Sequence, residues 1–510
     1  MKKSRKTRAA ALLLASVMVL SAFAGCTNST SGDSSDSSTS SESTSSTSST
    51  DEVTTISWYG IGGTVSGNFD QAVEKINEYT REKIGVEVDW VISGWDTYKE
   101  TFQRMVNGGD NFDIMFADST YYSRFVQQGA FMDITDKVQS VTPDLYKFVP
   151  ETLWDGITVK DKIYAVPTYK DSSVTEFWFF DHELVEKYDI DVKSVHTMDD
   201  LDPIFREVKE GEGEDFYPLM LTSGNPWLSL FNDYDSLNSG LEAIGVKLDD
   251  ESRTVVNVLE QEDIRHKLDL LRSWFQDGII NQDANVSQET YKGQFFGMGQ
   301  GWPAAASTWA AGNGVEQYDL TDPITGPYYT SATVQGSLNC ISANSSHPDE
   351  ALKFLELANT DTTLRDMLGY GEEGVDWEYV DVENEETGET EQRVHQLTTT
   401  WGTGPADYAI ASTFTKTLLD TEPATKNQEI LDQNESAAVG TCMGFTLDIE
   451  PIETQLAACV AAWSNYRVDA LTGARDPEEL LAEAQKALDE AGLQEVIDEA
   501  QRQLDAYFAE

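Results

Sequence analysis

Val53-Thr54-Thr55-Ile56-Ser57-Trp58, Val86-Glu87-Val88-Asp89-Trp90-Val91 and Phe112-Asp113-Ile114-Met115-Phe116 are three short runs rich in β-branched and aromatic residues. Between the first two, Phe69, Val73, Ile76, Tyr79 and Ile84 recur at helical spacing, and Gly85 stops them. Between the second and third, Tyr98, Phe102, Met105 and Val106 mark another helix, closed by Gly108-Gly109. Strands that alternate with helices of this length form βαβ units and a mostly parallel sheet, so the fold class is α/β.

Upstream, Lys2, Lys3, Arg5, Lys6 and Arg8 precede an apolar run from Ala9 to Ala24. Ser21-Ala22-Phe23-Ala24-Gly25-Cys26 then closes it with small residues and one cysteine. That order is a secretory signal, and its apolar run is shorter than the roughly 20 residues that span a bilayer. The cysteine at the cleavage point makes residues 1–25 resemble a bacterial lipoprotein signal, although Phe23 departs from the usual Leu. The resemblance implies cleavage before Cys26 and a lipid on its sulfur. Residues 26–52 follow as a tract almost wholly of Ser, Thr, Asp and Glu, without an aromatic, Lys or Arg. It cannot bury enough apolar surface to offset chain entropy, so it is expected to be a disordered tether with a reach of about 28 Å.

The 510 residues carry a formal net charge of −54. Removing the signal makes the chain more negative still. Nucleic acid is excluded as a partner, because its binding needs a basic surface. Of four cysteines, Cys26 is taken by the lipid. Cys340, Cys442 and Cys459 have no CxxC spacing, so neither a disulfide scaffold nor a zinc site is expected. A Cys442–Cys459 bridge and buried free thiols both remain open.

Further segments carry a family resemblance. They are Gly129-Ala130-Phe131-Met132-Asp133-Ile134-Thr135, Asp161-Lys162-Ile163-Tyr164-Ala165-Val166-Pro167-Thr168, Val185-Glu186-Lys187-Tyr188-Asp189-Ile190 with Thr197-Met198-Asp199-Asp200-Leu201, and Ser342-Ala343-Asn344-Ser345-Ser346-His347-Pro348-Asp349-Glu350-Ala351. In this order they resemble the extracellular solute-binding proteins of ABC importers, the sugar-binding branch in particular. Tyr370-Gly371-Glu372-Glu373-Gly374 and the C-terminal helices resemble lipoproteins of the LipO type.

The resemblance implies a two-lobed, periplasmic-binding-protein-like fold of type II. Each lobe is expected to be a mixed, mostly parallel sheet flanked by helices, with a helix-rich C-terminal region from Pro348 onward. Residues 53–166 and 300–339 are assigned to lobe 1, and 167–299 and 340–510 to lobe 2. In the tail, Asp476 caps a helix that begins at Pro477, Leu480, Leu481, Ala484 and Leu488 form its apolar stripe, and Gly492 ends it.

The implied function is a lipid-anchored, monomeric receptor on the outer face of the cell membrane. It captures a small ligand, an oligosaccharide first, by hinge closure and hands it to the permease. No enzyme activity, cofactor or metal is expected. An extracellular glycan hydrolase and a non-catalytic adhesion or sensing lipoprotein are the alternatives.

Aromatic and polar residues in strand-to-helix loops are the ligand-binding candidates, because open α/β sheets bind there. They are Trp58 and Tyr59 before Gly60-Ile61-Gly62-Gly63, Asp118 and Tyr121 after the third strand, and Tyr169, Lys170 and Asp171 at the first lobe crossing. Trp227, Trp302 (read as the second crossing) and Trp401 complete the set. Aromatic plates cover the C–H faces of sugars, and buried polar groups fix their hydroxyls. Gly60 to Gly63 fails as a dinucleotide fingerprint because Val65 replaces the third glycine. Asn281, Asp283 and Asn285 suggest a calcium loop, but Val286 and Lys292 stand where Gly and Glu are required.

Overall fold

The computed structural model describes residues 53–384 and 388–509. The signal segment, the tether and Cys26 lie outside the described residues. The three opening runs form β1 (Thr54–Gly62), β2 (Val86–Gly94) and β3 (Ile114–Ala117), joined by α1 (Phe69–Ile84) and α2 (Tyr98–Gly108). Gly85 ends α1 in the left-handed region at φ 70°, where an L side chain would be strained. β1 lies between β2 and β3, parallel to both. Strand Leu338–Ile341 and then β4 (Ala165–Pro167) extend this five-stranded sheet, with the 338–341 strand antiparallel to both of its neighbours.

The second sheet is built on β5 (Val174–Asp181). Strand Phe296–Gln300 pairs with one edge, and Tyr318–Leu320 and Thr325–Tyr329 pair with the other. All three run antiparallel to β5, so this sheet departs from the mostly parallel expectation. Of these three neighbours only Thr325–Tyr329 leads directly into a passage back to the first lobe. Only the outermost pairing, to Ala438–Val439, is parallel.

Two hydrophobic cores follow the two sheets. One gathers Ile56, Trp58, Ile114 and Phe116 with Leu352, Phe354 and Leu355 of helix Pro348–Thr360 and with Trp401 and Ile410. The other gathers Trp178, Phe205, Trp227, Trp274 and Phe296 with residues between Cys442 and Leu504. The lobe boundaries therefore need correcting. The 338–341 strand pairs with β3 and the helix after it covers the first sheet, so residues 340–411 belong to lobe 1. Residues 300–329 stay with β5 in lobe 2. The chain passes between the lobes at 168–173, at 330–337 and again after 411.

Helices do not dominate everything after Pro348. A hairpin, Trp377–Glu383 with Thr390–Gln396, and a long irregular stretch intervene. The tail is as read. Asp476 accepts hydrogen bonds from the N–H groups of Glu478 and Glu479 at the start of helix Pro477–Ala491, and Gly492 closes it in the left-handed region. Its stripe completes the second core. Cys340, Cys442 and Cys459 are buried free thiols, and burial pushes Cys442 up to about 12.

A buried charge cluster anchors the third passage. Arg365, with no exposed side-chain surface, lies 2.9 Å from Asp407, and Lys416 reaches the other carboxylate oxygen at 2.7 Å. Burial opposes the Asp407 charge, yet Arg365 and Lys416 outweigh it and hold the carboxyl well below the usual range. A depressed folded pKa stabilises the fold above the unfolded value of about 3.9 and is lost as the pH falls below it. Asp407→Asn should therefore destabilise by roughly 2 kcal/mol at pH 7, less than the 3–5 kcal/mol of a fully buried pair because Asp407 keeps over a third of its surface in water. Denaturant midpoints should show this gap constant from about pH 7 to 5 and closing below about pH 4.

Trp58 is 1% exposed, stacks on Trp90 with centroids 4.8 Å apart, and donates its indole N–H to Asn339. Trp58→Ala should cost about 3–5 kcal/mol in chemical denaturation, as for a large core aromatic.

Candidate functional site

Asp118 lies just past β3 and collects three tyrosines. Its carboxylate accepts the Tyr98 hydroxyl at 2.9 Å. Burial first, and then the Asp118 charge, pushes the phenols of Tyr98, Tyr121 and Tyr408 up. Tyr408 is 38% exposed and stacks on Trp95, itself 51% exposed, with centroids 6.3 Å apart and planes 19° off parallel. These two rings form an open aromatic plate on the first lobe.

The plate is held by backbone on every side. Trp95 follows the last residue of β2 and donates its N–H to the Gly62 carbonyl. Gly63 donates to Gly404, and Ala406 donates to Ile61. A side chain on Gly62 would collide with the Gly404 carbonyl, so the glycines after β1 serve this close approach. The Tyr408 carbonyl accepts from the Ser337 hydroxyl, on the second crossing, at 3.0 Å.

At the first crossing, Lys170 pairs with Asp171 at 3.1 Å and stands 6.0 Å from the Tyr408 ring centre. Tyr169 is half-buried between Phe148 and Phe414. Asp118, Tyr121, Lys170 and Asp171 are thus brought to one region, with Tyr169 packed beneath it. Tyr59 is half-buried against the first core.

Three candidates need correcting. Trp58, Trp227 and Trp401 are 1–2% exposed and fill cores: Trp227 packs on Phe296, Trp401 on Phe69. An aromatic beside glycine in a loop is equally suited to a tight interior turn. Trp302 stays in the second lobe, since the second crossing is at 330–337. It is half-buried, its indole N–H has no partner, and Lys426 lies 5.4 Å from its ring.

Sequence reasoning missed Trp95 and Tyr408. Trp95 satisfies the rule that selected Asp118, a residue just past a strand end. Tyr408 sits in an irregular segment with no periodicity to find it by.

In the second lobe a cavity of about 1090 Å³ opens beside strand Phe296–Gln300. Val174, the first residue of β5 after the crossing, lines it, together with Glu176, Asn225, Asn232, Tyr291 and Gln300. Glu176 is 6% exposed and accepts from the Trp178 indole and the Asn232 amide, each at 3.0 Å. Burial pushes its carboxyl up against the lowering effect of these donors. Asn281 is buried and bonds Leu221 and Asp283, which makes it a loop buttress. Among the described residues no group of three or more His, Cys, Asp or Glu is placed to hold a metal.

The pneumococcal protein described as a carbohydrate ABC transporter substrate-binding protein, from Streptococcus pneumoniae, is 27% identical over 467 residues, covering 89% of this chain and 91% of its own. The crystal structure of the N-glycan transport solute binding protein of the same species superposes with a TM-score of 0.74 at 24% identity, over 89% of this chain and 99% of that one. An extracellular solute-binding protein of Bifidobacterium longum subsp. infantis gives 0.62 at 15% identity, over 90% and 100%. These likenesses establish the type II two-lobed fold. Residues 441–509 match a domain of unknown function. The model of the bacterial extracellular solute-binding proteins matches residues 63–363, more than half of the chain, and the chain belongs to that family.

Proposed function

We propose that this protein is the lipid-anchored receptor of an ABC importer, which captures an oligosaccharide between its lobes and passes it to the permease. The exposed Trp95–Tyr408 plate carries the reading. Two large rings left in water cost free energy unless a ligand covers them. The flat C–H face of a sugar is such a cover, and Asp118 and Lys170 offer hydrogen bonds at its edge. The second-lobe cavity exceeds the 300–1,000 Å³ common for small-molecule pockets, which favours a chain of sugars over a single ring.

The pneumococcal relative's description as a carbohydrate-binding transport component supports the same ligand class. In this reading Tyr121, Tyr169, Asp171 and Trp302 border the ligand. No bond is made or broken, the receptor works as a monomer, and Cys26 carries the anchor. The family's extracellular setting agrees with that placement.

Thermal unfolding against panels of oligosaccharides, amino acids, peptides and polyols tests the proposal. A ligand held at a thousandfold its Kd stabilises the fold by about 4 kcal/mol. A shift with one glycan class, recovered intact, is the expected result. A shift with cleaved glycan would make the protein a hydrolase, and a flat panel would point to adhesion or sensing.

Trp95→Ala should weaken binding of that glycan by about tenfold or more, matching the roughly 1.5–3 kcal/mol of a large apolar side chain. Its unfolding midpoint should stay within about a degree of wild type, the opposite of Trp58→Ala. Titration calorimetry beside denaturation separates the two variants. Trp302→Ala is expected to weaken binding tenfold as well; an unchanged Kd in the folded variant would remove Trp302 from the site.

A further inference from the structure

The second-lobe cavity has a wall made of backbone. Strand Phe296–Gln300 pairs only with β5 among the described residues. Gly301 donates to Thr175, and Asp181 donates to Phe295, so the odd-numbered residues bond to β5. The same register turns the N–H and C=O groups of Phe296, Met298 and Gln300 away from β5, to the side where these residues line the cavity. Around that edge stand Asn225, Ser229, Asn232, Thr290 and Tyr291, all uncharged hydrogen-bonding groups.

Charge is distributed differently from hydrogen bonding. Glu176 and Glu289 line the cavity, and no Lys, Arg or His among the described residues does so. Glu176 is buried, with both oxygens held by Trp178 and Asn232, so it cannot swing away from an incoming anion. Beside a buried carboxylate such as Glu176, like charges repel more than they do in bulk water.

We infer that this cavity selects its ligand by charge: it takes an uncharged glycan segment, bound by the free strand edge and the surrounding amides and hydroxyls, and rejects glycans that carry carboxylates. The inference rests on the proposed oligosaccharide reading and specifies its ligand class.

The test is titration calorimetry of the intact protein with malto-, cello- and manno-tetraose, each beside its counterpart oxidised to the uronate at C6. At least one neutral tetrasaccharide should bind, and its uronate counterpart about tenfold or more weaker. Glu176→Gln should narrow that gap between the neutral and the oxidised member. Should that variant not fold, Glu289→Gln on the exposed rim replaces it, with a smaller narrowing expected because rim charges are screened. Ser229→Trp, which places a large ring in the cavity beside strand Phe296–Gln300, should weaken binding of the neutral tetrasaccharide about tenfold or more.

Equal binding of neutral and oxidised members would overturn the charge selection and leave oligosaccharide capture standing. Unchanged binding in Ser229→Trp would remove the glycan from the cavity. If no tetrasaccharide of either kind bound, and an extended peptide did so by adding to the free strand edge, both the inference and the oligosaccharide reading would fall.

Discussion

Three passages of chain between two lobes must be hydrogen-bonded where they are buried, and one short strand satisfies most of that demand. The Ser337 carbonyl, just before strand Leu338–Ile341, accepts from both the N–H and the hydroxyl of Thr168 in the first passage. The Ser337 hydroxyl donates to Tyr408. Asn339, 1% exposed, accepts the Trp58 indole N–H and donates to the carbonyls of Ala409 and Ile410. A buried backbone carbonyl left without a donor costs about 1–3 kcal/mol, so this small network fixes where the irregular 406–413 segment runs. The aromatic plate inherits its position from it: Tyr408 is placed by Ser337 and by the Asp407 charge cluster, not by any helix or strand of its own.

The same network links the plate to the hinge. Thr413 donates to Tyr169, and Asn434 accepts from Ser173 and donates to the Lys170 carbonyl. Gln335, fully buried on the second passage, donates to Gly156 in the first lobe and to Thr446 in the second. A rotation of one lobe on the other must rearrange these bonds together. Any such rotation would then be a choice between discrete arrangements and not a continuous bend, as packed interiors require.

The first lobe was legible where periodicity is strong. The alternation around Val86 to Val91, the helical spacing from Phe69 to Ile84 and the glycine at 85 each specify one element. Asp476-Pro477 did the same for the tail. Lobe membership was not legible, because it depends on which sheet a strand joins. Leu338–Ile341 is as apolar as any strand of either lobe, and only its pairing with β3 assigns it. For the site, Asp118 and Tyr121 could be read because they follow a strand end. Trp58 satisfied the same rule and failed, because strand β1 continues to Gly62 and its alternation turns Trp58 into the core. Rules based on neighbouring residues find the right loop but do not say which way a ring points.

The C-terminal helices bear on the site although none of them borders the aromatic plate. Trp227 donates its N–H to Leu471, at the end of helix Glu453–Leu471. Asn285 donates to Asp469, and Arg272 reaches the carbonyls of Gly473 and Ala474. Gly473, at φ 68°, lets that turn pack directly on the Leu271 carbonyl, where no side chain would fit. These contacts set the depth of the loop bearing Asn225 and Ser229, which is one wall of the cavity. The other wall, strand Phe296–Gln300, is fixed by β5 and hence by the first passage. The cavity's width is therefore the distance between a wall tied to the tail and a wall tied to the hinge. The tail accordingly does more than fill the second core: it helps set the width of that lobe's cavity.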